Sequence, residues 1–467
     1  MTGPSAARGA LTRHARTRMC CCIMGLRAYF AGFSCNRSAE PNRGVLMKTT
    51  ALRIHGKMDL RLETFELPAC GDDGIIAEVL CDSLCMSSYK AAKQGPEHKR
   101  VPKDCATTPT IIGHEFAGRL LEVGKKWQKQ FKPGDKFGIQ PALMYKGSQD
   151  APGYSFTTVG GDATHVRIPS CVMEMDCLLN YSGDAFFMAS LAEPMSCLIG
   201  ACKAQYHTDP GKYEHKMGIV KGGKMALLAS AGPMGLGLID YLLNGPRQPK
   251  LMVVTDIDQG RLDRAKSIMT PEKAKARGVE LVYVNTAQGN GQQALMDLSG
   301  GMGYDDVFVM APVAPVVEQG DAILGRDGCM NFFAGPTDPK FAAKFNFYNV
   351  HYGGTHIVGT SGGNTEDMRD ALALMSAGKI DPSVMITHVG GLTAAKDSTL
   401  HLAEIPGGKK LLYTQVDLPL VAIADFAEKG KTDPLYAELA ALCAKNNGMW
   451  CVDAEKVILT KAPKLKG

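Results

Sequence analysis

The stretch Met225-Ala-Leu-Leu-Ala229 contains no polar side chain. The turn after it, Ser230-Ala-Gly232-Pro-Met-Gly235-Leu-Gly237, runs directly into an apolar stretch ending at Leu243. A strand without polar alternation has to be covered on both faces, which in a soluble protein means the interior of a parallel sheet with helices above and below. Similar strands are expected at residues 251–255, 306–310, 328–333 and 355–359, with a helix at 259–268 between the first two. Strands alternating with helices predict an α/β, doubly wound Rossmann sheet.

The turn itself is a GxGxxG pattern with Ser230 in the first slot. Gly232 would let the backbone approach a pyrophosphate, Gly235 would let helix and strand pack closely, and Pro233 and Met234 open a helix whose positive end faces the phosphates. An acid follows at the expected distance. Asp256, at the end of the next strand, can accept hydrogen bonds from the ribose hydroxyls of an adenosine half and would repel a 2′-phosphate, which favours NAD(H) over NADP(H). The same residue could be an ordinary strand-end turn acid. Arg261 either lies against that ribose or is a solvated helix residue.

Upstream, residues 47–137 read as short strands separated by Gly/Pro turns, a β-rich module. A chain of 467 residues with 45% hydrophobic content can bury more than one core. The net charge of +5 is concentrated in residues 1–46, which hold seven arginines and one acid, Glu40. The body is therefore close to neutral and carries no electrostatic footprint for nucleic acid. No uninterrupted apolar run reaches the roughly 18 residues of a membrane span. The fifteen cysteines include no CxxC pair in the body, so a reducing, cytoplasmic setting is expected. Residues 1–46 are expected to be translated upstream sequence or an organelle presequence, with Met47 opening the first strand. Residues 423–467 are expected to form a separate tail with a packing helix at 433–444, where Leu435, Leu439 and Leu442 share a face.

Three short motifs carry metal-capable side chains: Cys85 just after a strand, Gly113-His114-Glu115 ahead of another, and Leu191-Ala-Glu193-Pro194 before the apolar half. Taken singly they could be a buried cysteine, a structural histidine and a helix-start acid. Together, with the Pro133-Gly-Asp135 turn and Gly160-Gly-Asp-Ala163, they resemble the zinc-type medium-chain alcohol/polyol dehydrogenases over residues 47–414. The resemblance implies a GroES-like catalytic domain at 47–193, an NAD-binding domain at 194–363 and a return segment at 364–422. It also implies one catalytic zinc on Cys85 and His114, with Glu115 and Glu193 exchanging as third ligand or water partner, and Ser87 as the proton-relay hydroxyl. Lys90 stands where relatives often have a relay histidine, so it could relay protons or bind a substrate phosphate. Relatives frequently carry a four-cysteine lobe for a second, structural zinc; residues 141–159 contain no cysteine, so one zinc per chain is expected. Homo-oligomers are expected too.

A finer resemblance lies in Asp82-Ser-Leu-Cys85, Pro152-Gly-Tyr-Ser-Phe156, Asn331-Phe-Phe-Ala-Gly-Pro336 and His356-Ile-Val-Gly-Thr-Ser-Gly-Gly-Asn364. These look like the branch of that family which interconverts L-sorbose 1-phosphate and D-glucitol 6-phosphate. The cations Lys90, His98, Lys99 and Arg100 would then face the phosphate, or form a solvated loop. The alternatives are an unphosphorylated polyol or secondary alcohol as substrate, and a zinc-free binding protein, which the four intact metal-capable residues argue against.

Overall fold

The computed structural model describes residues 47–466, so expectations about residues 1–46 lie outside the described residues. The β-rich half contributes β1 (Lys48–Gly56), β2 (Asp59–Glu66), β3 (Ile75–Leu84), β4 (Thr110–Ile111), β5 (Phe116–Val123), β6 (Lys136–Ile139), β7 (His165–Ile168) and β8 (Leu178–Tyr181). A two-stranded ribbon, β9 (Tyr206–His207) and β10 (Lys216–Met217), leads into β11 (Lys224–Leu228), β12 (Leu251–Asp256), β13 (Glu280–Asn285), β14 (Tyr304–Val309), β15 (Leu324–Phe332) and β16 (His356–Gly359). The return segment supplies β17 (Ile386–Gly391), β18 (Lys409–Tyr413) and β19 (Val421–Ala422).

Strands β11 to β16 form one parallel sheet in the order β13-β12-β11-β14-β15-β16. This is the doubly wound arrangement, and its strand order reverses between β11 and β14, where ligands enter the crevice at the carboxyl ends of the strands. Met225 to Leu228 are buried, as a central strand requires, and Ala229 at the turn is half-buried.

The β-rich half and the return segment share a second sheet, ordered β19-β17-β18-β3-β5-β6-β8, with β7 also pairing β3. Here β18 runs antiparallel to β3, Lys410 opposite Leu84 and Leu412 opposite Asp82. Residues far apart in sequence thus meet where β3 ends. Short helices α1 (Met86–Gln94), α2 (Ser170–Glu174) and α3 (Phe186–Ser190) decorate this half, and α4 (Ala192–Ala204) runs from it toward the parallel sheet. Among the described residues no helix is long and apolar enough to cross a membrane.

The C-terminal residues are not a separate tail. Their first long helix, Pro434–Lys445, starts one residue later than expected, with Asp433 as its cap. It buries Tyr436, Leu439 and Cys443, leaving Leu435 and Leu442 at the margins. A further helix, Val452–Lys461, follows the buried Trp450. Both join the core that includes Tyr413 and the helices beside the parallel sheet. The reason is a buried polar clamp. Glu455 accepts hydrogen bonds from the Phe186 N–H (2.6 Å), the Phe187 N–H (2.8 Å) and the Tyr413 hydroxyl (3.0 Å), and Trp450 Nε1–H donates to the Tyr413 hydroxyl (2.8 Å). The carboxylate satisfies two otherwise orphaned donors at the start of α3.

Glu455→Ala leaves two buried N–H groups and a buried hydroxyl without their acceptor, at about 1–3 kcal/mol for each unsatisfied group. Urea unfolding is expected to show a loss of at least ~3 kcal/mol, with Glu455→Gln losing less because an acceptor oxygen remains. A loss below ~1 kcal/mol for the alanine variant would show that the clamp does not hold the C-terminal helices.

Candidate active site

Strand β3 ends at Leu84, and the chain turns immediately into α1 with Cys85 as its N-cap. Antiparallel to it, β5 begins at Phe116, directly after His114 and Glu115. The approach is close: Gly113 has φ +93°, and a Cβ there would fall 2.6 Å from the Asp162 backbone nitrogen. Donor atoms of Cys85, His114 and Glu115 consequently lie within 4.8 Å of one another. A sulfur, an imidazole nitrogen and a carboxylate oxygen in that space suit zinc.

His114 is held by hydroxyls. Ser88 Oγ contacts Nδ1 at 3.1 Å, which orients the ring and leaves Nε2 toward Cys85. Ser87 Oγ stands 2.9 Å from Cys85 Sγ and 3.4 Å from His114 Nε2, beside the clustered donors. Tyr154 was not foreseen as a site residue. Its hydroxyl is 3.2 Å from His114 Nε2, and its ring packs against His114 and His98. Its segment is the one in which no cysteine occurs, so a tyrosine fills the flank of the site there. Its only sequence trace is the Pro152-Gly-Tyr-Ser-Phe156 motif.

Lys409, from the return strand, was also missed. Its Nζ lies 2.5 and 2.6 Å from the two Glu115 oxygens, with both side chains buried, and the Ser83 hydroxyl donates to the same carboxylate. Burial would raise the Glu115 carboxyl, but Lys409 and His114 outweigh it and hold it below the usual range. Burial and the Glu115 charge push the Cys85 thiol up, while Lys409 pulls the other way. No motif announces a lysine 294 residues away from its partner. Behind the pair, Asp82 Oδ1 accepts the Glu115 N–H at 3.2 Å, and Asp162 stands against Asp82 with both oxygens buried and unpartnered. Burial pushes the Asp162 carboxyl up to about 7, and burial together with the neighbouring Asp162 and Glu115 charges pushes Asp82 well above the usual carboxylate range.

Glu193 opens α4 but does not join the three clustered donors. Its Oε1 is 4.0 Å from Cys197 Sγ, and burial pushes its carboxyl up to about 7 against the pull of His114. The four expected phosphate cations also diverge. Lys90 Nζ donates to the Gly335 carbonyl at 3.2 Å, across from α1 to the loop after β15. Lys99 is exposed. Burial and the neighbouring charges of Arg100 and Lys99 lower His98 to about 4, so near neutrality it offers an uncharged imidazole rather than a cation. Arg100 turns inward, its guanidinium 5.4 Å from the Tyr154 ring centre.

At the parallel sheet, Gly232 caps α5 (Pro233–Asn244), with Pro233 and Met234 in its first turn. A Cβ at Gly232 would meet nothing within 4 Å, leaving a bare cradle at the helix N-terminus, whereas one at Gly235 would fall 1.7 Å from Ser230 O. Ser230 Oγ is buried without a partner among the described residues. Asp256 is buried and accepts from the N–H groups of Ala231, Ile257 and Asp258. Arg261 is exposed and leans toward Asp258. These features fit a dinucleotide.

A sulfur–nitrogen–carboxylate metal site beside a doubly wound nucleotide crevice defines a metal-dependent oxidoreductase of the alcohol/polyol dehydrogenase class. Residues 251–377 match the family described as zinc-binding dehydrogenase. The chain is 53% identical to the mannitol-1-phosphate 5-dehydrogenase of Aliivibrio fischeri and 49% identical to the L-sorbose 1-phosphate reductase of Klebsiella pneumoniae, in each case over 89% of this chain and 98% of the relative. It also shares its fold with a zinc-binding dehydrogenase of Sinorhizobium meliloti solved with NADP bound (TM-score 0.63, 18% identity, 79% of this chain and 99% of that one). The chain belongs to the zinc-binding dehydrogenase family.

Lys409→Met strands the buried Glu115 carboxylate. Breaking a buried pair from one side costs about 3–5 kcal/mol, and unfolding of the metal-free protein is expected to show a loss of that order. Adding Glu115→Gln should recover most of it. A double variant no more stable than the single one would mean that the pair does not account for the loss.

Proposed function

We propose that the chain interconverts a ketose phosphate and its polyol phosphate with NAD(H), L-sorbose 1-phosphate and D-glucitol 6-phosphate being the preferred pair. The clustering of Cys85, His114 and Glu115 within 4.8 Å carries the chemistry. The likeness to two sugar-phosphate oxidoreductases along nearly the whole length of each supports the substrate class.

Bound zinc would supply a Lewis acid for the substrate oxygen, and bound nicotinamide would give or take the hydride. Cys85 and His114 hold the metal position, and Ser88 orients the imidazole through a contact at Nδ1. Glu115 is the carboxylate clustered with them, tied to Lys409, and Glu193, outside that cluster at the start of α4, would exchange with it as third donor. Reduction adds one hydride and one proton to the carbonyl. The hydroxyls of Ser87 and Tyr154, both beside His114 Nε2, are the groups placed to hand that proton to the substrate oxygen. Lys90, tied to Gly335, braces α1 against the nucleotide half.

Divergence of Lys90 and Lys99 favours a second reading, in which an unphosphorylated polyol uses the same site. Initial rates on L-sorbose, L-sorbose 1-phosphate, D-glucitol and D-glucitol 6-phosphate decide between them: the phosphorylated pair should win by at least about tenfold in kcat/KM, the value of one charge-assisted hydrogen bond. Equal rates would overturn the phosphate assignment. The purified enzyme should hold about one zinc per chain, and His114→Ala should abolish turnover; full activity in that variant would remove the metal site from the mechanism.

Asp256 stands at the carboxyl end of β12 beside the Gly-rich turn, where a 2′-phosphate would meet its charge. The wild type is expected to prefer NADH, and Asp256→Ser should narrow the NADH/NADPH ratio of kcat/KM. A native preference for NADPH would contradict this role.

A further inference from the structure

Arg100 differs from the other arginines of the described residues. Those that are not fully exposed each reach an acceptor: Arg53 meets Glu63 and Pro109 O, Arg167 meets Asp73 and Ala69 O, Arg264 meets two carbonyls of the return segment, and Arg369 meets Glu366 and Asp176. Arg100 is half-buried, its Nε is buried without a hydrogen-bond partner, and its guanidinium has no acid within ion-pair distance among the described residues. A partly desolvated cation lacking a counter-charge is unfavourable unless an anion completes it.

Its place says which anion. The guanidinium carbon is 5.4 Å from the Tyr154 ring centre, and the hydroxyl of that same ring is 3.2 Å from His114 Nε2. The same tyrosine thus contacts both the cation, through its ring face, and the His114 imidazole, through its hydroxyl. Tyr154 is itself fixed, buried beside His98 and His114, and the Ser155 hydroxyl pins the chain by donating to the Arg100 carbonyl at 2.7 Å. A planar guanidinium braced on an aromatic face is preorganised to grip two oxygens of a phosphate at once.

Resting on the sugar-phosphate reading above, we propose that Arg100, seated on Tyr154, is the phosphate-recognising residue and that it selects a phosphate on the carbon next to the reacting carbonyl. The substrate class is then the 1-phosphorylated 2-ketones, largely regardless of chain length. A 2-ketose phosphorylated at its far end, the product of oxidising a polyol 1-phosphate at carbon 5, would carry its phosphate past Arg100. On this assignment the two activities named among this chain's relatives differ in whether the phosphate meets Arg100.

The test uses the zinc-loaded enzyme and its Arg100→Gln and Arg100→Lys variants, assayed on L-sorbose 1-phosphate, dihydroxyacetone phosphate, D-fructose 6-phosphate and L-sorbose. Circular dichroism and zinc content confirm that each variant is folded and loaded. Wild type should favour both 1-phosphorylated ketones over D-fructose 6-phosphate. Arg100→Gln should lose roughly tenfold to a hundredfold in kcat/KM on those two ketones, mostly through KM, while its rate on L-sorbose holds. Arg100→Lys should recover only part, having a charge but no fork. Inorganic phosphate should compete with L-sorbose 1-phosphate in wild type and much less in Arg100→Gln. A wild type preferring D-fructose 6-phosphate overturns the regiochemistry. Equal losses on phosphorylated and free ketoses, or none on either, overturn the role of Arg100. A wild type indifferent to phosphate altogether instead defeats the underlying sugar-phosphate reading.

Discussion

A buried ammonium against a buried carboxylate holds the two ends of the catalytic half together. Glu115 comes from the hairpin side of the second sheet and Lys409 from the return strand, and neither is exposed to water. Each would be costly alone, because the low-dielectric interior amplifies an unpaired charge. Their contact requires β18 to pair with β3, and that pairing is what brings Lys409 beside the turn from Leu84 to Cys85. The metal donors therefore stand in a field set from both sides: the Cys85 thiol is raised by burial and Glu115, and lowered by Lys409. A dication arriving there meets a carboxylate already ionised and a sulfur whose proton it can displace.

The second constraint is the rigid link between metal and nucleotide. Helix α4 starts with Glu193 near the clustered donors and ends against the parallel sheet. Asn331 donates from β15 to the Ala201 carbonyl at 3.1 Å, and Gln205 donates to the Cys329 carbonyl at 2.9 Å. Hydride transfer depends on holding the reacting carbon within a fraction of an ångström of its partner, so a strut hydrogen-bonded at its far end is the structural counterpart of that demand. The C-terminal helices add to it from behind, since Glu455 ties them to the start of α3, immediately before α4.

Side chains that the family resemblance alone does not distinguish are layered on this frame. Tyr154 enters from the segment where relatives often place a structural metal lobe, and it brings a hydroxyl to the imidazole and an aromatic face to Arg100. Of the four cations in the neighbouring stretch, one is diverted to a backbone carbonyl, one is in solvent, and one is neutralised by burial beside like charges. Charge density in a sequence does not tell which cation faces the substrate, because long side chains choose between partners only after the backbone is placed.

By itself the sequence determined what local pattern and spacing can determine. An apolar strand followed by a glycine turn has few alternatives, and β11 with α5 forms there; Gly235 could not be replaced without a clash 1.7 Å from Ser230 O. Cys85, His114 and Glu115 were legible because each sits at a strand boundary, and the structure gathers them. Only the tertiary structure decided the rest. Lys409 reaches Glu115, Asp162 faces Asp82, Tyr154 reaches His114 and Glu455 caps α3 through contacts between segments distant along the chain. In sequence each of these is a common residue in an unremarkable setting. What selects them is desolvation: once buried, a polar group must find a partner, and which partner is near depends on how the sheets pair rather than on the neighbouring residues.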